Sequence, residues 1–420
     1  MNSPAANNNF IQADRKFFYQ KTFLALGYPN YRLWFFGQLV SLFGSWMQTT
    51  AQGFFIYELT HSPAYLGYVG FAAGLPTWLF MLYAGVIADR VPRRNIMLFT
   101  QTTMMILAFV LATLTFTKIV QPWHIIILAL GMGTANAFDA PARQAFVREL
   151  VEPEAMTNAI ALNSAMFNTA IALGPAAGGV IYAALGPGWC FTINGLTFIA
   201  VIGALLAMKL KIFNIPKTEN SPFKDLKQGI RYTFSHTTIR ILILTIAVIA
   251  LFGTSFTTLL PAWAVRILSG DARTNGFLQT ARGLGALTSA LFIASLGIFN
   301  FKGKLLTVGT FLFPVFVLLF SLNNNFVLAL VFLFCAGIAQ ILIMNLCNAL
   351  VQIQVAEEIR GRVMGIYTFV FFGLMPFGAL WIGTVAQISG VRIAIIIASS
   401  VTFIYAVLIY SLGRPIWKLR

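Results

Sequence analysis

The sequence is poor in charge. Asp, Glu, Lys and Arg together make up 10% of its 420 residues, and only 12 of them are acidic. A water-soluble domain carries charge at about a quarter of its positions, so this chain cannot cover itself in water. Cysteine is scarce too. Cys190, Cys335 and Cys347 lie in or beside apolar runs without metal-ligand spacing, and they read as small core residues rather than a disulfide framework. The three histidines, His61, His124 and His236, are widely separated. No metal-spaced cluster and no nucleophile–base pairing is present. The nearest phosphate-loop lookalike, residues 297–305, has the wrong glycine spacing and lacks a Ser or Thr after Gly303-Lys304. These gaps argue against an enzyme, and no metal or cofactor is expected. Residues 1–30 lack the apolar centre of a cleavable signal, so the first apolar run is expected to remain as a helix.

What is abundant is hydrophobicity: 58% of residues, with 40 Phe. Apolar runs recur from Leu33 to Leu412, each near the roughly 20 residues that cross a bilayer. In lipid every backbone group must be satisfied within its own segment, so these runs are helices. They divide into twelve expected spans: 33–57, 65–88, 95–117, 123–140, 157–185, 190–208, 239–265, 272–299, 304–322, 326–350, 363–387 and 391–412. The formal charge of +16 raises the question of a nucleic-acid partner. Position answers it. With the N-terminus inside, 23 of the 28 Lys and Arg fall on the cytoplasmic side, four fall outside (Lys118, Arg266, Arg273, Arg392) and one, Arg282, lies within a span. That is the positive-inside bias, which places both termini in the cytoplasm and makes lipid, not nucleic acid, the partner.

A polar break from Lys209 to about Thr238 divides the chain. Across it, Phe43-Gly44 matches Phe252-Gly253, Gly67 matches Gly276 and Asn136 matches Asn345, each 209 residues apart, while Val147 and Met156 match Val355 and Met364 at 208. Six spans plus six, both halves entering from one side, form a parallel repeat of the major-facilitator kind. The fold class expected is therefore an all-α membrane protein of two six-helix bundles. Its parts are a cytoplasmic N-terminal segment (1–30), a first bundle (31–208), a cytoplasmic linker (209–238), a second bundle (239–412) and a tail (413–420). In the linker, Phe223, Leu226, Ile230 and Phe234 recur at helical spacing beside Lys224, Lys227 and Arg231, as in an amphipathic helix lying on an anionic leaflet.

Several motifs bear on function. After the second span come Gly85, Asp89, Arg90, Pro92, Arg93 and Arg94. Gly85 permits close helix approach. The charges beside it can be paired in one conformation and parted in another, as a gate requires. This string resembles the major-facilitator signature between helices two and three, with Pro92 where a glycine is usual. The resemblance extends through Phe138, Asp139, Pro141, Arg143 and Gln144, Glu149, Asn163, and Gly174-Pro175-Ala-Ala-Gly178-Gly179. It continues in the second half with Glu357, Glu358, Arg360, Gly361, Arg362 and Gly365. Residues 30–412 are thus similar to the drug- and siderophore-exporting branch of the superfamily, of the transmembrane secretion effector type. The resemblance implies export of a small molecule across a bacterial inner membrane by a monomeric antiporter, with Gly174, Pro175, Gly178 and Gly179 as its fifth-helix motif. Two departures bear on protons as the coupling ion. Trp123 to Phe138 holds no arginine, where many proton-coupled relatives place one inside helix four. No Asp or Glu sits near the middle of a span, so a proton couple has only carboxylates near span ends, such as Asp89, Asp139 and Glu58.

The residues also nominate a binding site. Gln38, Ser41, Ser45, Gln48 and Gln52 recur every three or four positions and form one polar face of the first span, facing a cavity or a neighbouring helix. Arg282 lies ten residues into the eighth span with Gln279 one turn earlier. A guanidinium at that depth costs about 3 kcal/mol or more unless it is paired or solvated. Asn345, with Asn348 and Gln352, lies near the inner end of the tenth span. Asp89, Arg93, Asp139, Arg143 and Arg362 are the expected cytoplasmic latch, with Gly85, Arg90 and Arg360 beside them. The residues by themselves leave open lysophospholipid or lipophile flipping, and a non-transporting sensor or assembly role.

Overall fold

The computed structural model describes residues 23–210, 222–297, 299–412 and 419, and contains no strand among them. Six helices come first: α1 Pro29–Thr60, α2 Pro63–Arg90, α3 Arg93–Phe116, α4 Pro122–Leu150, α5 Met156–Leu185 and α6 Pro187–Ala207. Then follow α7 Pro222–Ser235, α8 Thr237–Val248, α9 Leu260–Arg266, α10 Ala272–Ser295, α11 Lys302–Leu322, α12 Phe326–Gln354, α13 Glu357–Ser389 and α14 Val391–Leu412. Proline opens α1, α2, α4 and α6, where its missing N–H has no helical partner to lose. Gly186 and Gly390, both at φ +90°, end α5 and α13 in a backbone shape that a side chain disfavours.

Among the described residues, nine helical runs are long and apolar enough to cross a membrane, and a tenth if the two parts of α2 count as one span. The chain is a multi-pass membrane protein. Neither α1 nor α10 is among those ten. They carry Gln38, Ser41, Gln48 and Gln52, and Asn275, Gln279 and Arg282, and this polar load lowers their hydropathy.

Helix ends differ from the expected spans where hydrophobicity and helicity part company. Past residue 140, α4 runs on to Leu150 through a polar stretch, and α13 begins at Glu357, ahead of residue 363. The eighth span ends at Ser295, short of residue 299, and Gly297 beyond it has φ +57°. The seventh is not one α-helix. Between α8 and α9 lie a π turn, Ile249–Gly253, and a 3₁₀ stretch, Thr254–Leu259. The π turn rests on α13, where a Cβ on Gly378 would meet the Leu251 carbonyl at 2.6 Å. Pro222–Ser235 is a helix, as its apolar spacing indicated, with Ile230 and Phe234 exposed. The side chains of Phe223, Lys224, Leu226 and Lys227 lie outside the described set, as do residues 1–22 of the N-terminal segment, 211–221 of the linker and all of the tail except Leu419.

The first bundle, α1–α6, meets the second chiefly on two helix pairs, α2 with α13 and α5 with α10. Glycine makes both pairings close. A Cβ on Gly67 would meet the Ala379 carbonyl at 2.7 Å and Gly383 Cα at 3.2 Å. One on Gly276 would meet the Pro175 carbonyl at 2.6 Å and Gly179 Cα at 3.0 Å. The repeat is thereby visible in space, but with a corrected register. Gly67 and Gly276 are equivalent at 209, whereas their partners Gly179 and Gly383 are 204 apart. The same shift holds for α4 and α12. Gly133 is pressed against the Ala73 carbonyl and Gly337 against the Arg282 carbonyl, so Gly133 and Gly337 correspond, again 204 apart. The structural counterpart of Asn136 is therefore Gln340 and not Asn345, and Val147/Val355 and Met156/Met364 fall out of step. Between the starts of α2 and α4 the first half is five residues longer, because α2 and α3 (28 and 24 residues) outrun α10 and α11 (24 and 21), which a constant-offset comparison cannot accommodate.

Candidate functional site

Helix direction defines two ends of the molecule. The linker side holds the start of α1, tied by the Asn30 amide to the Lys209 carbonyl at 2.9 Å, together with α7 and the start of α13. The far side holds the loops after α1, α5, α9 and α13. At the far side the bundles are sealed. The Ser62 hydroxyl donates to Gln387 Oε1 at 2.8 Å, and the Arg266 guanidinium donates to the His61 carbonyl at 2.6 Å. One apolar core there is shared by both bundles, including Phe54, Phe55, Leu66, Val69, Phe256, Leu259 and Trp263. Toward the linker side the first bundle has a separate core, around Trp34, Met97, Phe146 and Phe198.

On both inter-bundle helix pairs the contact gives out toward the linker side. Along α2 and α13 the pairs run Gly67 with Gly383, Gly70 with Ala379, Gly74 with Pro376 and Trp78 with Gly373. Continuing that register brings Gly85 opposite Gly365, with Gly361 one turn on. Yet a Cβ on any of these three would meet nothing within 4 Å. On α5, Ala172, Pro175 and Gly179 touch α10, whereas Ser164, on the same face two turns toward the linker side, is exposed. The halves thus form a V, closed at the far side and open at the linker side.

At the apex of this V, α10 presents Asn275, Gln279 and Arg282 on one face. Gln279 accepts from Thr50 of α1 at 3.4 Å and donates to Asn275 at 3.3 Å. Arg282 donates to Gln340 of α12 at 3.3 Å, while its buried Nε has no hydrogen-bond partner. Among the described residues no carboxylate pairs with Arg282. The α5 motif frames the same region. Gly174 and Gly178 abut Trp46 and Met47 of α1, Gly179 abuts the Ala272 carbonyl, and Gly283 abuts the Ile171 carbonyl that Pro175 leaves without its helical donor.

The polar face of α1 is mostly turned into its own bundle. Gln38, Ser41, Gln48 and Gln52 are buried. Gln48 accepts from Asn194 of α6 at 2.7 Å, and Ser41 donates to Gln101 of α3 at 3.5 Å. Ser45 is half-buried and donates to the Ser41 carbonyl. Asn136 and Asn345 are exposed.

The linker-side charges pair within the first bundle in this conformation. Arg93 lies 2.6 Å from Glu149 and 3.8 Å from Asp89, and Arg143 lies 3.7 Å from buried Asp139. Arg90 is exposed. Arg362 donates to Gln228 of α7 at 2.5 Å, and Arg360 is half-buried. Sequence reasoning missed Gln340, Thr50, Asn275, Gln101 and Asn194. None of them extends a polar pattern that the sequence alone would single out, and only three-dimensional adjacency joins them to the residues that were named.

Two helical bundles with a polar cleft between them, sealed at one end, define a secondary transporter of the major-facilitator class. Residues 21–419 match the family model described as transmembrane secretion effector, and the chain belongs to that family. Among curated relatives, a staphyloferrin A transporter of Staphylococcus aureus is 25% identical over 91% of this chain and 96% of its own length. An enterobactin exporter of Shigella boydii is 26% identical, with 81% of each chain covered. A macrolide efflux protein of Streptococcus pyogenes is 22% identical over 87% of this chain and 92% of its own. Solved structures share the fold. The nucleoside transporter NupG has a TM-score of 0.66 at 15% identity, covering 93% of this chain and 99% of that one. A bacterial homologue of the human lysosomal transporter Spinster, inward-facing and occupied, has a TM-score of 0.69 at 15% identity over 92% and 96%. The chain is a secondary transporter that exports small molecules, and it is not an enzyme.

Proposed function

We propose that the chain exports a siderophore-like or amphipathic drug-like molecule across the bacterial inner membrane by alternating access, coupled to protons. The relatives' cargoes, staphyloferrin A, enterobactin and macrolides, support that class. The excess of Lys and Arg on the linker side supports a cytoplasmic orientation for that side and for both termini. Cargo then enters the V from the cytoplasm or inner leaflet.

The observation that carries this reading is Arg282. It is a cation at the apex of the cleft with no carboxylate partner among the described residues, beside Gln279, Gln340 and Thr50. An anionic or strongly polar cargo group satisfies it better than neutral Gln340 does. Ser45 and Asn345 join Gln279 and Arg282 as proposed contacts along the way. Gln38, Ser41, Gln48 and Gln52 hold α1 in position behind them. After release, Gly85, Gly361 and Gly365 let α2 and α13 close at the linker side, and Asp89, Arg90, Arg93, Asp139, Arg143, Arg360 and Arg362 exchange partners to latch it.

Inside-out membrane vesicles with an imposed proton gradient test this, offered iron-free siderophores and macrolides. The expected result is uptake of at least one of them, abolished by Arg282→Ala at an unchanged level of protein in the membrane. Wild-type uptake by that variant would remove Arg282 from the site. A failure of every candidate to move would contradict the proposed cargo class.

A further inference from the structure

The linker helix α7 presents three different sectors around its axis. Gly229 and Thr233 are buried. A Cβ on Gly229 would meet Ile366 Cδ1 at 2.8 Å and the Arg362 carbonyl at 3.1 Å, so this sector rests on the start of α13. Ile230 and Phe234, one turn apart, form a second sector and are 42% and 64% exposed. Gln228, Arg231, Tyr232 and Ser235 form the third, and with Ile359 of α13 they line a cavity of about 280 Å³. Only His236 separates α7 from α8, which opens the seventh membrane span at Thr237. Phe234 and the cavity therefore lie within a turn of where the chain enters the bilayer.

Each polar side chain lining the cavity is neutral or positive. Arg231 is exposed, and among the described residues no carboxylate pairs with it. Glu357 and Glu358 precede Ile359 on the first turn of α13, yet both are exposed and neither pairs with Arg231. The Ser235 hydroxyl donates to the Tyr232 carbonyl at 2.9 Å, which turns it back on its own helix. The Arg231 guanidinium is left as the strongest donor facing the cavity, and its planar fork of N–H groups matches the oxygens of a phosphate. Drug-sized ligands fill pockets of about 300–1,000 Å³. This cavity lies at the foot of that range and suits one headgroup.

We infer that this cavity between α7 and α13 is a binding site for the phosphate headgroup of an anionic phospholipid, with Arg231 as its main contact. A soluble phosphate would use the same guanidinium, but it offers nothing to Ile230 and Phe234. A lipid engages both sectors at once: its phosphate sits against Arg231 and its acyl chains cover the apolar pair, as for a helix lying in the membrane interface. Because Gly229 and Gln228 join α7 to Arg362, an occupied site fastens the lipid to the first turns of α13.

Native mass spectrometry of protein released from nanodiscs tests this without cargo or transport, so it stands or falls separately from the export reading. Wild type from nanodiscs containing phosphatidylglycerol should retain one such lipid, and from pure phosphatidylcholine it should not. Arg231→Gln should lower that adduct several-fold, while Arg231→Lys, which keeps the charge, should retain most of it. Arg148→Gln removes an equally exposed arginine from the linker-side end of α4 and should leave the adduct at the wild-type level. An undiminished adduct in Arg231→Gln would overturn the site. Equal losses in Arg231→Gln and Arg148→Gln would do the same, since they would mean diffuse surface charge. Displacement of the lipid by millimolar inorganic phosphate would overturn its assignment to lipid.

Discussion

At the level of single residues, the polar side chains of this protein divide by what lies across from them. Gln48 has an amide partner, Asn194. Such bonds between membrane helices are worth about 0.6 kcal/mol on average and up to about 1.7 kcal/mol. A double-mutant cycle of Gln48→Leu and Asn194→Leu, read by thermal unfolding in detergent, should give a coupling energy in that range with transport retained. Loss of transport at unchanged stability in Gln48→Leu alone would instead put Gln48 in contact with cargo. Among the described residues Arg282 has the neutral Gln340 as its side-chain partner, and a charge held that way invites a ligand. The three-and-four spacing of Gln38 to Gln52 was legible in the sequence as one face of a helix. Which neighbour that face meets was not, because periodicity fixes a direction relative to the helix and says nothing about the packing of the others. The depth of Arg282 was legible from its distance to the span's ends.

Among helices, glycine marks where two backbones touch and where they part. Gly133 is pressed against the Ala73 carbonyl, so Gly133→Leu should overpack α2 against α4 and cost about 1–3 kcal/mol or more, seen as a lower melting temperature. Gly85 has open space around its Cβ position. Gly85→Leu should leave the melting temperature unchanged and still lower transport several-fold, because the added side chain meets α13 when the linker side closes. A large loss of stability in Gly85→Leu would contradict that reading. From sequence, both glycines look alike. Apolar runs in the sequence place the helical stretches, with α1 and α10 the most polar of them, but helix ends such as Leu150 and Glu357 could not be placed, since they lie in polar sequence outside the apolar region. The π turn in Ile249–Gly253 was equally invisible, for it depends on the packing of Gly378 beneath it.

Taken whole, the molecule is two bundles that share a core at one end only. Ser62 and Gln387 close the far side, while Gly85, Gly361 and Gly365 wait unpacked at the other. The internal repeat announced this architecture in the sequence, although its spacing slips from 209 to 204 between α2 and α4. Function at this scale requires that the two ends be exclusive, one opening as the other shuts. Spin labels placed in pairs, at positions 85 and 365 on the linker side and at 62 and 387 on the far side, measure this directly in nanodiscs with the native cysteines replaced. Between acid and alkaline pH, or with and without a transported macrolide or siderophore, the two distances should change in opposite senses. Distances that stay fixed under every condition, or that lengthen together, would contradict alternating access through this cleft.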